Sequence, residues 1–161
     1  MALAVAYLWA TRRKNATLQI TGICSSANSA ATEETVPEKY RPFFVSMEQN
    51  AHAPVLDIAA FGRIKAGSEK PLSYPIAIAD PSIMPRTYFQ ACGRDPTRDC
   101  TLVMEQTWRD AGVQTRLDVY ASIPHVFWAL GLSAMGQVKK HETDTRKGLL
   151  WLLSRPNKGA L

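Results

Sequence analysis

The chain opens on an almost unbroken apolar run, Met1 to Ala10. A helix apolar on every side belongs inside a core, so residues 2–13 are predicted as a buried helix with Arg12, Arg13 and Lys14 at its end. Leu18 to Cys24 is a short apolar strand, closed by the small polar run from Ser25 to Thr32. Pro37-Glu38-Lys39-Tyr40 places proline at a first helical turn, with Thr35 as its cap. Residues 54–66 form a weaker helical candidate. From Gly67 to Pro85 the prolines at 71, 75, 81 and 85 break any regular element and predict a long irregular connection.

Beyond Pro85 the periodicities sharpen. Thr87 to Cys92 is an apolar, aromatic-rich strand ending at Gly93. A helix follows from Asp99 to Ala111, with Met104, Trp108 and Ala111 on one face and Gly112 as its stop. Arg116 to Tyr120 is a second strand, in which Leu117 and Val119 alternate with polar residues. After a loop around Pro124-His125, the last helix runs from Gln137 to Leu153. Its apolar side is predicted as Val138, Thr145, Leu149 and Leu152, with Lys139, Lys140, Glu142 and Asp144 toward water. Strands separated by helices of this length predict parallel βαβ units, so the fold class is α/β. Residues 87–154 form a βαβα segment, and residues 33–86 an irregular, cap-like insertion before it.

Composition narrows the function classes. The 161 residues are 46% apolar and 20% charged, the balance of one folded domain. Lys and Arg number 19 against 14 acids, a net charge of +5, yet the only tight basic run is Arg12-Arg13-Lys14. Without a basic stripe interleaved with aromatics, no nucleic-acid partner is implied. The three cysteines, Cys24, Cys92 and Cys100, have no metal-type spacing, and the three histidines are far apart, so neither a metal nor a cofactor is expected. The opening apolar run is too short to span a bilayer, and its positive charges follow it rather than precede it, unlike a secretory leader. These features predict a cytoplasmic protein without membrane attachment. Asn15-Ala16-Thr17 matches a glycosylation sequon that means little without a leader, and Gly159-Ala160-Leu161 is not a peroxisomal signal.

Two loops carry candidate chemistry, each following a strand. Gly93-Arg94-Asp95-Pro96-Thr97-Arg98-Asp99 follows the first, and Ile123-Pro124-His125-Val126-Phe127-Trp128 follows the second. Functional groups of open α/β sheets gather beyond the carboxyl ends of the strands. Adjacent parallel strands lie about 4.8 Å apart, which lets these loops bring Asp95 and His125 together. A carboxylate on one imidazole nitrogen fixes the tautomer, and the other nitrogen can then take a proton from a nucleophile.

The run from Tyr88 through Asp99 resembles the Asp-Pro-Leu-Arg-Asp segment of the hormone-sensitive-lipase-like esterases, a branch of the α/β-hydrolase fold. Arg116-Leu117-Asp118-Val119-Tyr120, followed by Pro124-His125-Val126-Phe127-Trp128, resembles that family's Pro-His-Gly-Phe loop. The stretch from Val36 to Tyr40 and on through Ser46-Met47-Glu48-Gln49-Asn50 is similar to fungal members. The resemblance implies that Asp95 is the triad acid and His125 the triad base, in the hydrolase order Ser, Asp, His. Met1 to Leu8 resembles the helix after the nucleophile, so the resemblance implies the C-terminal half of such a fold, lacking its central strands and G-x-S-x-G elbow. Ser25, Ser26 and Ser29 lack the glycine pattern of an elbow and read as loop residues. Val126 stands where glycine is usual, and a β-branched residue is strained there if that position has positive φ. Thr97 stands in place of leucine, and Cys100 where an acid often follows.

Asp99 reads as a helix cap or loop brace, Phe127 and Trp128 as packing, and His52 and His141 as exposed helix residues. Three readings follow, of which the first is taken as the family-level function and the others as alternatives. The chain is part of a carboxylic-ester hydrolase acting on a small ester; or it is an inactive hydrolase-like binding protein or accessory protein of fungal secondary metabolism; or it completes a site with a separate serine-bearing chain. An unpaired edge at the Leu18–Cys24 strand would favour self-association.

Overall fold

The computed structural model describes residues 2–12, 20–29, 31–65, 75–131 and 135–154. Arg13, Lys14, the sequon at 15–17, Leu18, Gln19, the stretch 66–74 of the irregular connection and the C-terminal 155–161 lie outside the described residues.

Three strands, β1 (Ile23–Ser26), β2 (Thr87–Arg94) and β3 (Thr115–Pro124), form a parallel sheet in the order β1-β2-β3. Helix α1 (Ala2–Arg12) precedes β1, and α2 (Ser46–Gln49) and α3 (Ile58–Lys65) lie between β1 and β2. Helix α4 (Arg98–Asp110) joins β2 to β3, and α5 (Gly136–Leu153) follows β3. Central β2 is buried on both faces from Thr87 to Cys92, as the near-continuous apolar run of a parallel strand requires.

Alternation along β2 divides the core. Phe89 points toward α1 and α4, where it joins Leu3, Ala6, Met104 and Trp108. Its ring meets the Trp108 indole edge-on at 5.6 Å. Val36, Ile76 and Met84, from the segment between β1 and β2, complete this cluster. The next residues face α5: Tyr88 passes beneath Gly148, Gln90 bonds to Thr145, and Cys92 packs with Tyr120, Phe127 and Val138.

Several local expectations need correction. The first strand extends over Ile23–Ser26, so Ser25 and Ser26 are strand residues paired with Phe89 and Gln90 rather than loop. Their hydroxyls are accommodated there because Ser26 donates to the Gln90 side-chain oxygen at 2.5 Å and Ser25 accepts from Asn28. Thr35 caps no helix; its hydroxyl accepts from the Thr32 amide at 2.8 Å and closes a turn, while Glu38–Phe43 forms a 3-10 helix after Pro37. On α5 the buried residues are Val138, His141, Asp144, Gly148 and Leu152, whereas Leu149 is 43% exposed. The buried side is rotated from the predicted one because the sheet beneath this helix is largely polar.

Candidate active site

Between Cys92 and Tyr120 on one side and Arg94 and Pro124 on the other, the β2–β3 register slips. Strand β2 takes two residue steps over this interval (94 minus 92) and β3 takes four (124 minus 120). The extra length bulges at Ser122, whose φ is +59°. Opposite it, a Cβ on Gly93 would stand 2.8 Å from the Ser122 amide nitrogen, a contact with backbone that only glycine avoids. Immediately beyond this bulge both functional loops begin.

Asp95 is fully buried. One carboxylate oxygen accepts from the Thr97 amide at 2.7 Å and its hydroxyl at 2.8 Å. The other lies 2.7 Å from His125 Nδ1. In a neutral imidazole this contact places the proton on Nδ1, since a carboxylate can only accept. Nε2 is then the basic nitrogen, and among the described residues it has no hydrogen-bond partner. The His125 side chain retains 21% exposure.

The departure at Val126 has the geometry the missing glycine suggested. Val126 sits in the left-handed region at φ +43°, ψ +36°, where a β-branched residue is strained. Two aromatic residues directly after it hold the loop in place. Phe127 is buried against Tyr120, edge-on at 5.3 Å. Trp128 lies flat on the His141 imidazole at 4.2 Å with the planes 2° apart. His141 is therefore a buried packing residue rather than an exposed one, and burial lowers its pKa below the ordinary histidine value. Phe127 and Trp128 act in packing, as expected. His52 is exposed.

Asp99 is a loop brace. One carboxylate oxygen accepts from the amides of Val45 and Ser46, at 2.8 and 2.7 Å, across the start of α2, and the other pairs with Arg98 at 2.7 Å. Ser46 replies from α2, donating to the Pro96 carbonyl at 2.7 Å and accepting from the Asp99 amide at 3.0 Å. The sequence marks Thr97 as a departure from the family pattern and Ser46 as part of a similar stretch, but the bonding of both is hidden because short hydroxyl residues give no periodic signal. Cys92 lies behind the histidine loop, and burial, aided by the charge of Asp95, pushes its thiol to about 12. A thiol held so firmly protonated is a packing group, not a nucleophile.

Among the described residues, no group of three or more His, Cys, Asp or Glu could hold a metal ion, and no helix is long and apolar enough to cross a membrane.

Known proteins resemble this chain in sequence and fold. The chain is 30% identical over 148 residues to an AB hydrolase superfamily protein of Schizosaccharomyces pombe, covering 87% of this chain and 42% of that one. It is 31% identical over 140 residues to the versiconal hemiacetal acetate esterase of Dothistroma septosporum, covering 83% and 42%. Among solved structures it resembles vibralactone cyclase, with a TM-score of 0.85, 27% identity, and coverage of 93% of this chain and 45% of that one. The chain thus spans less than half the length of these relatives. Their character agrees with the fungal, hormone-sensitive-lipase-like resemblance of its loops. The family described as alpha/beta hydrolase fold matches residues 1–129, and the chain belongs to that family.

Proposed function

We propose that this chain carries the acid and base of a carboxylic-ester hydrolase, Asp95 and His125, and works with a serine supplied from outside the described residues. The observation that carries the reading is the 2.7 Å contact between a fully buried carboxylate and a partly exposed imidazole, on loops that follow adjacent parallel strands. His125 Nε2 takes the proton of the serine hydroxyl as its oxygen attacks the ester carbonyl. The same nitrogen returns that proton to the departing alkoxide, leaving an acyl-enzyme. Water then repeats the sequence and releases the acid. Asp95 holds the ring in the required tautomer and stabilises the imidazolium. The esterase among the relatives supports a small acyl ester as substrate.

The test is reconstitution. The chain is assayed against p-nitrophenyl acetate and butyrate, alone and with the part of the Dothistroma relative that lies outside the match. The expected result is no turnover alone and turnover in the complex. Asp95→Asn, which misdirects the tautomer, lowers that turnover by about 10⁴. A folded complex without turnover, or turnover indifferent to Asp95→Asn and His125→Ala, refutes the reading. Hydrolysis by the isolated chain would place the nucleophile within it instead.

A further inference from the structure

The acid loop has a second attachment to α2 that the brace through Asp99 does not explain. Asn50, at the C-terminal end of α2, donates from Nδ2 to the Asp95 carbonyl at 3.2 Å, with the Gly93 carbonyl at 3.5 Å. The Asp95 carbonyl also accepts from the Arg98 amide at 3.1 Å, so both of its lone pairs are in use. The Asp95 carboxylate is already oriented within its own loop by Thr97. The position of the Asp95 peptide relative to His125 still has to be set. Ser46 anchors the loop one residue further on, at the Pro96 carbonyl.

We infer that Asn50, assisted by Ser46, is a positioning residue that aims the Asp95 carboxylate at His125 Nδ1 by holding the peptide on which Asp95 stands. The inference rests on the reading of Asp95 and His125 as acid and base. The two anchors divide the work. Asp99 and Ser46 fasten the loop to α2 through buried contacts, and losing them would loosen the packing. Asn50 is only half-buried and grips the acid's own carbonyl, so its loss acts mainly on aim. The site therefore includes a residue 45 positions before its acid, in the segment between β1 and β2.

The experiment uses the full 161-residue chain with ¹⁵N-labelled histidine, the His125 signals being assigned from a His125→Gln variant. Ring-nitrogen shifts report the tautomer, and solvent exchange of the Nδ1 proton reports the bond to Asp95. Asn50→Asp keeps the side-chain shape while removing the donor, and Asn50→Ala removes it without adding charge. Both are expected to raise the exchange rate about tenfold, as loss of one net hydrogen bond would, and to mix the tautomers. Gln49→Ala, which loses only a contact with Arg98, should leave both readouts at parental values. Ser46→Thr, which keeps the hydroxyl, should restore what Ser46→Ala disturbs. Parental exchange and tautomer in both Asn50 variants would overturn this inference alone. A freely exchanging Nδ1 proton in the parent chain would overturn the acid–base reading and this inference with it.

Discussion

Replacing Gly148 with alanine tests how helix α5 is seated on the sheet. A Cβ there would lie 2.1 Å from Cε1 of Tyr88, 2.3 Å from Cδ1 and 2.6 Å from Cζ. Carbon atoms in contact settle near 3.5 Å, so helix and ring must separate by about 1.4 Å (3.5 minus 2.1). The ring has little freedom to yield. Tyr88 is fully buried, and its hydroxyl donates to Asp118 at 2.7 Å and accepts from Gln90 at 2.9 Å. Overpacking costs about 1–3 kcal/mol, and displacing a hydrogen bond to a carboxylate about 1.5–3 more. Alanine returns about 1 kcal/mol through its better helix propensity. The net loss is about 2–5 kcal/mol, a fall in Tm on the order of 5–15 °C for a chain of this size. Urea and thermal melts of parent and variant measure it, and a Tyr88→Leu background should recover part of the loss. A variant as stable as the parent, or more so, would mean that propensity outweighs the contact and that α5 is not seated as described.

Val126→Gly relieves a left-handed valine, worth about 1–2 kcal/mol, and gives about 0.5–1 kcal/mol back to the flexibility of the unfolded chain. A net gain of up to about 1 kcal/mol in urea melts is expected, and a loss larger than that would show that the valine's packing outweighs its strain. His141 supplies a pH dependence: burial lowers its folded pKa below 6.5, against the opposing charges of Asp144 and Glu142. Between the folded and unfolded values the unfolded chain binds more protons, so full stability holds above 6.5 and declines as the pH falls toward the folded value. His141→Gln should flatten that decline in melts across mildly acidic pH, and an unchanged slope would assign it elsewhere. Burial raises the thiols of Cys92 and Cys100 to about 12, and Cys24 is raised more modestly by its own burial. Thiol titration of the native chain should therefore label Cys24 slowly and the other two only on unfolding; rapid labelling of Cys92 would show that the histidine loop opens.

Where large apolar side chains dominate a buried face, periodicity makes it readable. Helix α4 matches its predicted face because Met104 and Trp108 pack on an apolar surface of the sheet. Both loops follow their strands as the pattern requires, because a parallel sheet leaves its loops at one end. Misreadings cluster where polar groups satisfy one another out of sight of the sequence. Beneath α5, the Gln90 amide nitrogen lies within hydrogen-bond distance of the Tyr88, Tyr120 and Thr145 hydroxyls, among which its two hydrogens are shared, and its oxygen accepts from Ser26. A sheet surface of that kind selects Asp144 and Gly148 for the buried side of the helix and leaves Leu149, Leu150 and Leu153 outward. The same network holds the Ser26 hydroxyl within the strand, while Ser25 beside it accepts from Asn28. The burial of His141 is hidden from the sequence because stacking on Trp128 depends on a loop whose course no periodicity encodes. Asn50 belongs to the stretch similar to fungal members, but its contact with Asp95 depends on the path of the chain between β1 and β2.

The bulge at Ser122 sets the phase between Asp95 and His125, beyond the regular pairing of the sheet. Below it, β2 and β3 run in strict step; above it, the third strand has two residues of slack before His125. If that slack were drawn straight, at about 3.3 Å per residue the histidine would overshoot its carboxylate by about 7 Å, while every pairing from Thr87 to Cys92 stayed intact. Folding and alignment are thus separable properties of this strand pair. A side chain at Gly93, or a residue at 122 unable to take positive φ, would give a protein with native-like circular dichroism in which Asp95 and His125 no longer meet.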